Sequence, residues 1–188
     1  MKLRYRFALL AVLFAAVPLC GASGRADTGG NWKEILQQRL PLYGHRNWIV
    51  IADSAYPAQT SSGIETIVSG ANQIDVVQQV LASISASQHV RPIVHIDKEL
   101  QFLNDKDAPG VSAYRRQLTA LLRGSTQQPM LHDQIIAKLS QVSRDFRVLI
   151  IKTNMTIPYT TVFLELRASY WSDENERKLR TAMGARGK

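Results

Sequence analysis

The sequence predicts an α/β fold: one layered domain with a central mixed sheet flanked by helices, preceded by an N-terminal leader. Three observations lead there. Amphipathic helical stretches alternate with short apolar runs of strand length. The chain has 188 residues, and about 160 of them follow the leader, the size of one domain. No repeat, low-complexity tract or linker divides that portion.

The leader is residues 1–26. Lys2, Arg4 and Arg6 make a positive start, residues 7–20 are apolar, and Gly21, Ala22, Ser23, Gly24 and Ala26 supply small residues. This is the layout of a secretory signal peptide, with an uncleaved N-terminal anchor as the alternative. The apolar part is shorter than the ~20 residues of a membrane span, so no stable membrane insertion is expected after cleavage. The protein is expected to be exported, periplasmic or secreted. The domain then runs over 27–171, and a C-terminal helix and tail over 172–188. Cys20 is the single cysteine and lies in the leader. The remainder therefore has no disulfide, thiolate metal ligand or Cys nucleophile.

The formal charge is +8. Four of those positive charges, Lys2, Arg4, Arg6 and Arg25, belong to the leader, which has no acidic residue. Elsewhere basic and acidic residues are interspersed, with no basic stripe of the kind nucleic-acid binding needs. No nucleic-acid partner is expected.

The elements follow in order. Asn31 and Glu34 form a capping box for a helix whose Trp32, Ile35, Leu36 and Leu40 share a face, and Pro41 ends it. "WIVIA" (48–52) is a continuous apolar run, suited to a strand covered on both faces. Residues 55–63 are a loop by composition. Residues 72–84 read as a helix with Ile74, Val77, Leu81 and Ile84 on one side. "RPIVHI" (91–96) is a second strand, and Asp97 starts a short helix carrying Leu100 and Leu103. Residues 111–124 form a helix closed by Gly124, and 132–142 form another. Strands at 147–153 and 161–169 flank a turn at 154–159. Ser172 caps a last helix running to about residue 183.

No metal signature, phosphate loop or nucleophile elbow is present, and no metal or cofactor is expected. The informative stretch is "YGHRNWIVIADSAYP" (43–57). It resembles the signature of the D-ribose pyranase and L-fucose mutarotase family (RbsD/FucU): Gly-His, an apolar strand, Asp, small residues and Pro. Gly44, His45, Asp53 and Pro57 match. "IIKTNMTIPYTTVFLEL" (150–166) resembles the family's closing segment, with Ile151, Lys152, Pro158, Tyr159 and Leu164 fitting. "HDQIIAKL" (132–139) resembles its helix with a second histidine, His132. The resemblance covers about residues 31–169. The chain departs from it at Asn47, where the family usually carries an acid, and at Thr161, where ribose-type members carry Asn.

The resemblance implies an RbsD-like fold and a monosaccharide mutarotase or pyranase-like isomerase, working by general acid–base catalysis in a ring-shaped homo-oligomer. It implies His45 as the proton donor. Asp53, Tyr159 and Thr161 would hold sugar hydroxyls, and His132 would be a second ionisable group at the substrate. An imidazole with its ordinary pKa of ~6.5 suits proton traffic near neutrality. The bland roles remain open. Asp53 fits an Asx turn, His45 and His132 fit element ends, and Tyr159 fits core packing. His95 reads as structural and His89 as a surface residue. Trp48, Trp171 and Phe163 could stack on a sugar, though burial suits them better. The alternative function is a non-catalytic carbohydrate-binding or interaction protein that keeps the fold. Eight residues of extended chain span roughly 26 Å. His45 and Asp53 therefore meet one sugar only if the chain doubles back or a neighbouring subunit supplies one of them.

Overall fold

The computed structural model describes residues 32–186. The leader read at 1–26 and the Asn31 cap lie outside the described residues. Five strands form one mixed sheet in the order β2-β4-β1-β5-β3. They are β1 (Trp48–Ala52), β2 (Ile64–Val68), β3 (Val90–Ile96), β4 (Val148–Lys152) and β5 (Val162–Ala168). β1 runs parallel to β4, and β4 to β2. β5 is antiparallel to both β1 and β3. The helices are α1 (Trp32–Arg39), α2 (Gln73–Ser87), α3 (Val111–Leu121), α4 (His132–Val142) and α5 (Asp173–Arg186).

The period-2 alternation of strand side chains divides the core in two. Ile49, Ile51, Leu149, Ile151, Val162 and Leu164 face a layer made by α1, α2 and α3. Trp48, Val50, Val148, Ile150 and Phe163 face Ile135 and Leu139 of α4. All five residues of β1 are buried, which explains why "WIVIA" is continuously apolar rather than alternating.

β2 was not legible as a strand. Its residues Ile64-Glu65-Thr66-Ile67-Val68 are at most half-buried and lie at an edge of the sheet, so no apolar run marks it. Gly63 leads into it under tight constraint. A Cβ there would lie 2.0 Å from the Ser143 carbonyl oxygen, so only glycine lets β2 pass the end of α4. The other edge is covered. Residues 126–130 run beside β3 through backbone bonds including Gln128 N–H to Val94 O (2.8 Å) and Met130 N–H to Ile96 O (3.1 Å).

The caps follow the sequence. Asn72 Oδ1 accepts from Ile74 N (2.9 Å) at the start of α2, and Ser172 Oγ accepts from Asn175 N (3.0 Å) at the start of α5. Gly124 takes a left-handed φ of 84° after α3. His89 is not a free surface residue. It is half-buried, with Nδ1 3.0 Å from Ser87 O and Nε2 2.9 Å from Tyr43 O; the polar stretch around it gave no hint of the turn that folds onto it.

His95 is structural, as expected. It is buried and stacks on Trp48 at 5.2 Å. Its Nε2 lies 3.2 Å from Glu165 Oε2. Glu165 also receives Lys138 Nζ at 2.8 Å and Arg167 Nη2 at 2.8 Å. Burial would raise the Glu165 carboxyl, but the hydrogen bonds from His95 and Lys138 and the charges of Lys138 and Arg167 outweigh it, bringing it to about 2. A depressed folded pKa gives stability that is present above the ordinary carboxylate value and lost as pH falls toward the folded one. Glu165→Gln should therefore destabilise the protein at pH 7 by about 1–3 kcal/mol. The gap to wild type in urea midpoint should close as pH drops from ~4.5 toward 2. An equal gap at pH 7 and pH 3 would contradict this.

Candidate functional site

β1, β2, β3 and β4 point the same way, so their C-terminal ends share one edge of the sheet with the start of β5. Open α/β sheets commonly place ligands there. Asp53 follows β1, Asp97 follows β3, Thr153 follows β4, and Thr161 precedes β5. The cleft at this edge has a volume of about 520 Å³, within the range of small-molecule sites. Its walls include Asp53, Tyr56, Gln59, His132, Ile136, Pro158 and Tyr159.

Asp53 is held at both oxygens. Oδ1 accepts from Ala55 N at 2.9 Å, the Asx turn its position suggested, and Oδ2 accepts from Thr161 Oγ1 at 3.1 Å. Thr161 is buried and reaches the cleft through that bond. His132 opens α4, with its backbone N–H 3.1 Å from each carboxylate oxygen of Glu99. The Glu99 carboxylate thus serves the orphan donor at the helix start from a distant segment. The His132 ring meets Tyr159 edge-on, centroids 5.5 Å apart at 87°. Its Nδ1 lies 3.2 Å from Asp97 Oδ1. That is an ion-pair distance, but neither atom has an aligned hydrogen bond.

Tyr159 has φ of 57°. It follows Pro158 in a turn closed by Thr160 Oγ1 donating to Ile157 O at 2.7 Å. A positive φ after proline is the glycine position of a type II turn, and a bulky residue there is an outlier. The turn is braced from beneath. Tyr114 OH donates to Thr160 O at 2.7 Å, and Gln73 Nε2, which also bonds Thr160 O, donates to Tyr114 OH at 3.1 Å. Burial pushes the Tyr56 phenol up to about 12, and Gln59 Nε2 donates to its oxygen at 3.1 Å.

Four of the five residues read as candidates from the sequence therefore converge: Asp53, His132, Tyr159 and Thr161. His45 does not join them within the chain. It lies before β1, at the opposite edge of the sheet from Asp53, and is exposed. Partial burial lowers its pKa, as do the charges of Arg167 and Arg46, against the pull of Glu165.

The fold is similar to that of proteins of known structure. RbsD of Bacillus subtilis, complexed with D-ribose, superposes with a TM-score of 0.52 at 18% identity, over 71% of this chain and 91% of that one. A fucose mutarotase of Streptococcus pneumoniae, complexed with L-fucose, gives 0.50 at 17%, over 74% and 95%. The chain has the RbsD-like fold. No protein-family model and no curated protein sequence matches it.

In this RbsD-like fold the sequence reasoning missed Asp97. Burial raises its carboxyl to about 6, opposed by the charge and proximity of His132 and helped by Glu99 and Asp53. A signal existed: "VHID" (94–97) repeats the apolar-run-then-Asp pattern of "VIAD" (50–53). Among the described residues no group of three or more His, Cys, Asp or Glu could hold a metal ion, and no helix is long and apolar enough to cross a membrane.

The strained turn makes a prediction. Tyr159→Gly removes a left-handed tyrosine costing roughly 1–2 kcal/mol, so thermal unfolding should shift little or upward. The same change removes the ring against His132. A clearly lowered melting temperature would show that the packing of that ring outweighs the strain of the turn.

Proposed function

We propose that the protein is an exported monosaccharide mutarotase or pyranase-like isomerase, with its sugar bound in the cleft at the C-terminal edge of the sheet. The observation that carries this reading is the convergence of Asp53, His132, Tyr159 and Thr161 from three separate segments on one cleft. The shared fold of two sugar-bound neighbours supports the substrate class, and the leader pattern supports export.

The chemistry needs two proton transfers. The anomeric hydroxyl gives its proton to a base. The bond from anomeric carbon to ring oxygen breaks as the carbonyl forms, and an acid protonates the ring oxygen. Rotation and the reverse steps close the other ring or anomer. Asp53 accepts hydrogen bonds from sugar hydroxyls, Thr161 orients Asp53, and Tyr159 contributes a ring face and a phenol. His132 is a second ionisable group at the sugar, and His45 is the donor. His45 lies across the sheet from the cleft in its own chain, so it reaches a sugar from a neighbouring copy in a homo-oligomeric ring. A heterologous contact of this kind closes into a ring when its rotation allows.

One observation favours the alternative of a non-catalytic sugar-binding protein. Asn47 accepts from Gly44 N at 2.8 Å and donates to Arg147 O at 3.3 Å, so both ends of its amide serve the turn where the resembled family carries an acid. Saturation-transfer NMR across free pentoses and hexoses separates the two readings. The enzyme accelerates exchange of at least one sugar above buffer. A protein that binds a sugar but accelerates none is the non-catalytic binder.

A further inference from the structure

We propose that Asp97 is the positioning residue for His132: it holds the imidazole in the tautomer protonated on Nδ1 and so presents Nε2 to the cleft as the proton acceptor. The inference rests on the sugar-isomerase reading above and assigns one step of it, the removal of the anomeric hydroxyl proton.

Asp97 has no ordinary structural task. It precedes the 3-10 turn Lys98–Phe102, yet its side chain makes no capping bond there. The start of α4 beside it is served by Glu99 instead. The side chain is fully buried, and neither carboxylate oxygen has an aligned donor. Such a group costs stability, and an asparagine or an apolar residue would cost less. The groups facing it are His132 from α4, Glu99 from the 3-10 turn, Asp53 from the end of β1, and the Tyr56 and Tyr114 phenols. Of these, His132 alone brings a nitrogen within ion-pair distance, Nδ1 at 3.2 Å.

The rest of the ring points the same way. Nδ1 is buried, while the side chain as a whole is 35% exposed, so its exposure lies away from Asp97. Tyr159 pins the ring edge-on. A small rotation aligns Nδ1–H with the carboxylate, and such bonds commonly tighten only when a ligand is present. A buried Asp behind a His fixes the tautomer and stabilises the imidazolium that forms. Here Nε2 takes the anomeric proton, and Asp97 stays ionised beside the resulting cation.

The test compares the full chain with Asp97→Asn. In the wild type, ¹⁵N NMR of the His132 ring should show the Nδ1–H tautomer. In Asp97→Asn the Nε2–H form should gain. The kcat for exchange should fall at least about tenfold, with KM within about twofold. Stability at pH 7.5 should hold or rise. A raised folded pKa means that ionising Asp97 loses stability as pH climbs from about 4 to about 6, and the amide removes that loss. A wild-type His132 carrying its proton on Nε2 overturns the inference whether or not the variant folds. So does an Asp97→Asn protein with unchanged tautomer and kcat, or one that loses stability with its tautomer unchanged. If the wild type accelerates no sugar's exchange, the isomerase reading falls, while the tautomer comparison still decides what Asp97 does for His132.

Discussion

His45→Ala should lower catalysed sugar exchange by about 10²-fold or more, the usual worth of a general acid, with the fold intact. The side chain is exposed and buries little apolar area. The turn that carries it is held by backbone bonds the substitution leaves in place, Arg46 N–H to Leu166 O (2.9 Å) and Asn47 N–H to Gly44 O (3.1 Å). His45→Gln should fare no better, because an amide hydrogen-bonds but does not shuttle a proton. The pH profile carries the sign of the role. A donor works from its protonated form, and the pKa of His45 is lowered by partial burial, Arg167 and Arg46. The donor-limited rate should therefore rise as pH falls, with a midpoint below the ordinary ~6.5. Full activity in a folded His45→Ala protein would assign the acid to another residue.

Mixed assembly gives the second large effect. His45→Ala and His132→Ala chains should each be nearly inactive alone. If one subunit lends His45 to the cleft of the next, co-refolding them in equal amounts should restore both residues at about a quarter of the sites, by random pairing across a heterologous contact. His132→Ala keeps the backbone N–H that Glu99 holds, so α4 should still start correctly. Light scattering on the wild type should show a stable oligomer at micromolar concentration. A monomer that still catalyses exchange, or mixtures that recover nothing, would contradict a shared site.

Much of this fold could be read because its signals are local. "WIVIA" is buried on both faces and apolar throughout. α2 and α4 carry their apolar residues at helical spacing, and Ser172 and Gly124 mark ends by their own chemistry. β2 escaped because an edge strand leaves Thr66 and Val68 to solvent and buries little. The site was half legible for a related reason. Three stretches along the chain point to Asp53, His132 and the Tyr159–Thr161 turn, but only the sheet order shows that the end of β1, the start of α4 and the start of β5 meet. The first of these stretches includes His45, which the strand direction carries to the opposite edge. Asp97 escaped because its meaning depends on partners remote in sequence: His132, Glu99 and the covering wall of α4.

The central claim is that a sugar sits in the cleft at the C-terminal edge of the sheet, and amide chemical-shift mapping with free monosaccharides tests it most directly. A binding sugar should move the signals of Asp53, Ala55, His132, Tyr159 and Thr161 together in a saturable way, and Asp53→Asn should weaken that response. Perturbations centred on another part of the surface, or none with any pentose or hexose at millimolar concentration, would contradict it.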